Sequence, residues 1–131
     1  MSYNLFLDDV RMPKDGYLYD QKVDLCQASN IHNWVIVRDY DEFTSMIRNG
    51  GIPTVVSFDH DLHFEHMRHY YDVTSVCGVV EYGNLKYKTG LACAQYLIDA
   101  CREKDVPLPR CYVHSANEWG RENIKKLLGI V

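Results

Sequence analysis

An α/β fold is what this sequence predicts: three layers built around a mostly parallel sheet of four main strands. Three observations predict it. Short runs rich in β-branched and aromatic residues recur at Asn4-Leu5-Phe6-Leu7, Trp34-Val35-Ile36-Val37, Val55-Val56-Ser57-Phe58 and Cys111-Tyr112-Val113. Near-continuous apolar runs of this kind are the mark of strands covered on both faces, as in a parallel sheet. Between them lie segments with apolar residues at helical spacing, the alternation that crossover helices produce. Finally, three of the four runs stop abruptly at polar residues: Asp8-Asp9, Asp59 and His114-Ser115. Ligands of open α/β sheets bind beyond the carboxyl ends of strands.

The elements follow in order within a single domain, residues 1–131. After the first strand and its acidic pair comes Val10-Arg11-Met12-Pro13, where the proline disfavours a helical conformation at Met12. From Lys14 to Asn33 no apolar period is sustained, which predicts a long, tyrosine-anchored loop with at most a short helix. A loop of that length in a compact domain tends to be functional or a lid. The second strand opens at Trp34. Asp39 or Asp41 can cap the next helix, which places Phe43, Met46 and Ile47 at helical spacing. Asn49-Gly50-Gly51 stops it, and Pro53 precedes the third strand.

Residues 62–88 break the rhythm. They read as an insertion after the third strand, with His63, His66 and His69 and a hairpin over 79–87 turning at Gly83-Asn84. Such an insertion is placed to cover the strand ends. A helix from Thr89-Gly90 to Lys104 presents Ala94, Leu97, Ile98 and Cys101 on one face. Pro107 and Pro109 separate it from the fourth strand, and a last helix starting between Asn117 and Gly120 buries Ile124, Leu127 and Leu128.

Composition excludes several functions. A chain of 131 residues is long enough for a substantial core. Its formal net charge of -4 argues against an extended nucleic-acid surface, which needs many cations on phosphates. It leaves room for one small basic pocket. No apolar run approaches the ~20 residues of a membrane span, and no charged-then-apolar leader opens the chain. A cytoplasmic protein is therefore expected. The five cysteines include no CxxC pair; Cys93, Cys101 and Cys111 fall in predicted helix or strand and read as small buried hydrophobes.

Asp8, Asp9 and Asp59 form the leading constellation. Three carboxylates together repel one another unless a positive charge sits among them. A hard divalent cation, Mg²⁺ or Mn²⁺, suits oxygen ligands and bridges carboxylates to phosphates. Taken singly, each aspartate is better explained as a cap or loop residue; it is the three together that favour the cluster. His60 and His114 are candidate general acids or bases, or else histidines hydrogen-bonded to loop carbonyls. Ser115 and Asn117, with Gly120, lie between strand and helix, where amides and a hydroxyl can hold an anion. Thr89 occupies the equivalent place one helix earlier. Helix capping alone also accounts for these residues. Arg11 can fork onto a phosphate or form a surface salt bridge. The histidines at 63, 66 and 69 read as a solvated or lid surface rather than a metal stripe.

Strand ends bearing Asp-Asp, Asp and Ser resemble the receiver (response-regulator) fold, with Asp8-Asp9, Asp59 and Ser115 at the matching positions. The usual receiver lysine after a fifth strand has no counterpart, nor does the helix that usually follows the acidic pair. A closer resemblance is to the cyclic-phosphate-processing receiver domains. It rests on Leu5-Phe6-Leu7-Asp8-Asp9-Val10-Arg11-Met12-Pro13, Trp34 with Tyr40-Asp41-Glu42-Phe43, Ser57-Phe58-Asp59-His60-Asp61-Leu62, Thr89-Gly90, and Val113-His114-Ser115-Ala116-Asn117 with Gly120. The resemblance implies a receiver-like (flavodoxin-like) sheet and hydrolysis or other processing of a cyclic phosphate on a nucleotide, RNA end or ADP-ribose derivative.

The expected function is thus a metal-assisted phosphoesterase acting on a small nucleotide or other cyclic-phosphate ligand. In it, Asp8, Asp9 and Asp59 hold the metal; Asp59, His60 and His114 serve catalysis; Arg11, Thr89, Ser115 and Asn117 bind substrate. A phospho-accepting or degenerate signalling receiver and a non-catalytic cyclic-nucleotide binder are the competing expectations.

Overall fold

Among the described residues, four parallel strands form the central sheet, in the order β4-β1-β5-β6. They are β1 (Asn4–Leu7), β4 (Val35–Val37), β5 (Val55–Phe58) and β6 (Arg110–Val113). The computed structural model describes residues 2–62 and 88–130. The expected inserted hairpin and the three histidines at 63, 66 and 69 lie outside the described residues.

Residue alternation divides the sheet into two faces. Leu5 and Leu7 of β1 point one way with Val56 and Phe58 of β5, and there, among the described residues, they meet three helices. These are α2 (Tyr40–Gly50), α3 (Gly90–Glu103) and α4 (Glu118–Leu128), which contribute Phe43 and Ile47, then Cys93, Ala94 and Leu97, then Ile124. Each fully buried Leu or Phe here contributes roughly 1.5–3 kcal/mol by removal from water. The caps match the sequence reading. Asp39 accepts from the Glu42 amide at the start of α2, and Asn117 accepts from the Gly120 amide at the start of α4. Gly51 closes α2 with φ of 83°, a left-handed value that glycine adopts without strain.

Phe6 points to the opposite face, where it meets Leu18, Leu25, Val23, Trp34, Ile36 and Tyr112. What covers this face corrects the sequence reading. The stretch expected as a long loop with at most a short helix holds that short helix, α1 (Leu25–Ser29), and in addition a 3-10 turn (Pro13–Asp15) and an antiparallel pair of two-residue strands, β2 (Tyr17–Leu18) and β3 (Val23–Asp24). Lys22 turns the hairpin with φ of 57°. Asp24 caps α1 by accepting from the Gln27 amide. Trp34 also stands just outside β4, which begins at Val35; its ring lies edge-on to Phe6 in this smaller core.

Candidate active site

Register brings the polar strand ends together. Leu7 pairs with Phe58, and Phe58 with Val113. The ladder runs one residue further, because the Asp59 amide donates to the Leu7 carbonyl (3.0 Å) and the His114 amide to the Phe58 carbonyl (2.9 Å). Asp8, Asp59 and His114 therefore stand abreast on three adjacent strands. By the same alternation they face the side of the sheet that Phe6 and Ser57 face.

Asp8 is held from every direction. Its Oδ1 accepts from the amides of Val10 (3.0 Å) and Arg11 (2.8 Å), and its Oδ2 lies 3.1 Å from His114 Nε2. Burial pushes its carboxyl up, but the bonds from His114, Arg11 and Val10 outweigh burial and hold it below the usual aspartate range. His114 is fully buried, its ring stacked on Phe6 at 4.5 Å and its Nδ1 2.7 Å from Ser57 Oγ. Burial holds the imidazole below its usual value although Asp8 pulls the other way.

Asp59 is the opposite case. Burial, then the charges of Asp8, Asp61 and Asp9, drive its carboxyl well above the ordinary range, and Arg11 only partly opposes them. Asp9 is raised too, by burial and then by Asp8. One oxygen from each of Asp8, Asp9 and Asp59 lies within 4.8 Å of the others. Crowded, under-compensated carboxylates of this kind fit a hard divalent cation and offer none of the sulfur or imidazole that softer metals favour.

Beyond Asp59 the chain turns under two helices. Asp61 Oδ1 lies 2.9 Å from His60 Nδ1, and both Asp61 oxygens accept from Asn117 Nδ2 (3.1 and 3.3 Å). Asn117 in turn caps α4 through its Oδ1 (2.9 Å to the Gly120 amide). Two glycines make this packing possible. A Cβ on Gly90 would overlap the Asp59 carbonyl, and one on Gly120 would overlap the His60 ring. The Gly90 amide donates to the His60 carbonyl at 2.7 Å.

A small cavity of about 40 Å³ opens between these groups, walled by the four carboxylates together with Arg11, Ser115 and Asn117. It is large enough for a cation and a water. A family description, the cyclic-phosphate processing receiver domain, matches residues 3–129. The chain belongs to that family. No curated protein and no solved structure matches it.

In this receiver-like domain, Asp8, Asp9, Arg11, Asp59, Ser115 and Asn117 meet at the cavity. His60, His114 and Thr89 do not line it. His114 lies behind Asp8 and His60 behind Asp61, both about 1% exposed or less. Thr89 is the N-cap residue of α3, buried, with no capping bond from its side chain. Ser115 Oγ accepts from the Asn117 amide at 3.1 Å, which leaves its hydrogen to donate elsewhere.

Three participants escaped the sequence reading as site residues. Asp61 was in plain view, two positions past Asp59. Ser57 had a signal as well, a lone hydroxyl inside an apolar strand. Arg38 follows β4 directly and clamps the rim: its Nη1 donates to the carbonyls of Asp8 (3.0 Å) and Arg11 (2.6 Å). A single arginine in a loop carries no such signal.

Proposed function

We propose that this receiver-like domain hydrolyses a cyclic phosphate ester with the help of a divalent cation. The observation that carries the reading is the trio of oxygens from Asp8, Asp9 and Asp59 within 4.8 Å, one of them on a nine-tenths-buried carboxyl pushed well above its usual value. Asp8, Asp9 and Asp59 would hold Mg²⁺ or Mn²⁺, which when bound supplies positive charge to phosphate oxygens and acidifies water.

The chain's own groups supply the rest. Arg11 and the Ser115 hydroxyl flank the cavity and steady a phosphate. Backbone amides at the start of α4 favour the same anion. Asp61, on the cavity wall and bonded to His60, takes the proton of the attacking water. The water oxygen joins phosphorus, one ring P–O bond breaks, and the freed hydroxyl recovers a proton, leaving an open phosphomonoester. His114 acts through Asp8, because its ring does not reach the cavity.

The test is a panel of 2′,3′-cyclic nucleotides, 3′,5′-cyclic nucleotides and cyclic phosphates of ADP-ribose, each with Mg²⁺, with Mn²⁺ and with chelator. Cation-dependent turnover of at least one substrate is expected, lost to background in Asp59→Asn. Failure of the wild-type protein to open any of them would remove the enzyme reading.

A further inference from the structure

Ser57 stands inside β5, fully buried, where a hydroxyl is costly unless it is bonded. Its partner is His114 Nδ1 at 2.7 Å, and the far nitrogen of the same ring lies 3.1 Å from Asp8 Oδ2. Three side chains, none more than 1% exposed, thus form one line across the sheet from β5 through β6 to β1. The line ends on an oxygen of the acidic cluster.

Hydrogen-bond chemistry decides how the line is protonated. With its proton on Nδ1 alone, the ring would aim a lone pair from Nε2 at a carboxylate, acceptor against acceptor. With both nitrogens protonated, Ser57 becomes an acceptor, and its own hydrogen has no recipient among the described residues. Only the Nε2–H form gives every donor an acceptor: Ser57 Oγ–H donates to Nδ1, and Nε2–H donates to Asp8 Oδ2. The parallel stack on Phe6, with 6° between the ring planes, fixes the remaining rotation.

We propose that Ser57 is a positioning residue of the acidic site, anchoring the far end of His114 so that the ring holds Asp8 in place toward Asp9 and Asp59. The cation part of this inference rests on the proposed function; the hydrogen-bonded line does not. Groups that orient a metal's ligands typically change affinity about 10–100-fold when removed.

The experiment starts with ¹⁵N-histidine NMR on the metal-free wild-type protein. His114 should show a protonated Nε2 and an unprotonated Nδ1 shifted by an accepted hydrogen bond; a protonated Nδ1 overturns the proposal. In Ser57→Ala the Nδ1 resonance should move toward that of a free imidazole nitrogen, and an unmoved resonance also overturns it. Mn²⁺ titration then reads the consequence, with about a tenfold weaker affinity expected in Ser57→Ala. An unchanged affinity overturns the positioning role. Absence of Mn²⁺ binding by the wild type would sink the cation reading, and the ¹³C resonance of the Asp8 carboxyl would then decide: moved by Ser57→Ala, it supports the role; unmoved, it refutes it.

Discussion

The two faces of the sheet are built by different means. On one, three helices of 11 to 14 residues lay apolar stripes across Leu5, Leu7, Val56 and Phe58. On the other, a hairpin of two-residue strands and a single helical turn cover Phe6 with Leu18, Leu25 and Trp34. The acidic cluster belongs to the second face. Asp8, Asp59 and His114 extend the alternation of Phe6, Ser57 and Tyr112 past the strand ends. One face therefore supplies most of the apolar packing, while the other threads a polar line through a smaller core to reach the carboxylates. Stability and site geometry should be separable by mutation.

Phe6→Ala is the sharpest way to break that separation. It removes a fully buried ring and the surface on which His114 stacks. A loss of about 3–5 kcal/mol in chemical denaturation is expected. In the molecules that remain folded, Mn²⁺ affinity should also fall, since the ring holding Asp8 loses its support. Unchanged affinity in Phe6→Ala would mean that the second face does not tune the site.

Leu97→Ala is its counterpart on the helical face. Leu97 is fully buried in the main core, so about 2–5 kcal/mol should be lost. Cation affinity per folded molecule should stay at the wild-type level. A fall there comparable with that of Phe6→Ala would show that the two faces are coupled after all.

A smaller effect is read by pH. Burial pushes the Cys111 thiol up to about 12 from an ordinary 9.0, and the Tyr3 phenol up to about 12 from 10.0. Burial also raises Cys93. All three pack in or against the helical-face core. Each keeps its proton in the folded state after the unfolded chain has released its own. Stability is therefore intact below pH 9.0 and declines as pH climbs toward about 12. Denaturant midpoints measured at pH 8 and pH 10.5 should show this decline. Native Cys93 and Cys111 should resist thiol reagents at pH 8 and react only once the chain is unfolded.

How much of this was legible in the sequence follows the same division. The helical face was readable because its signals are local. Asp39, Thr89 and Asn117 each stand at the N-cap their spacing suggested, and Gly51 ends α2 with a positive φ. The runs ending at Asp8-Asp9, Asp59 and His114 gave the sheet and the meeting of its polar ends. The second face was not readable, because strands of two residues show no alternation and a five-residue helix shows barely a turn of periodicity. Nor can any local pattern reveal that His114 bonds to Asp8, 106 positions away. The sequence leaves His114 open between a general acid or base and a hydrogen-bonded histidine; in the structure its ring lies behind the carboxylate with both nitrogens engaged.

Gly90 and Gly120 leave one consequence. Each lacks the single carbon that would collide with the Asp59–His60 turn, so the first turns of two helices rest directly on the backbone and ring of that turn. Helix placement and acid placement have thereby become the same variable. Anyone redesigning this scaffold to widen the pocket by retracting Asp59 must reseat both helices with it, and must also keep the Val10 and Arg11 amides on Asp8.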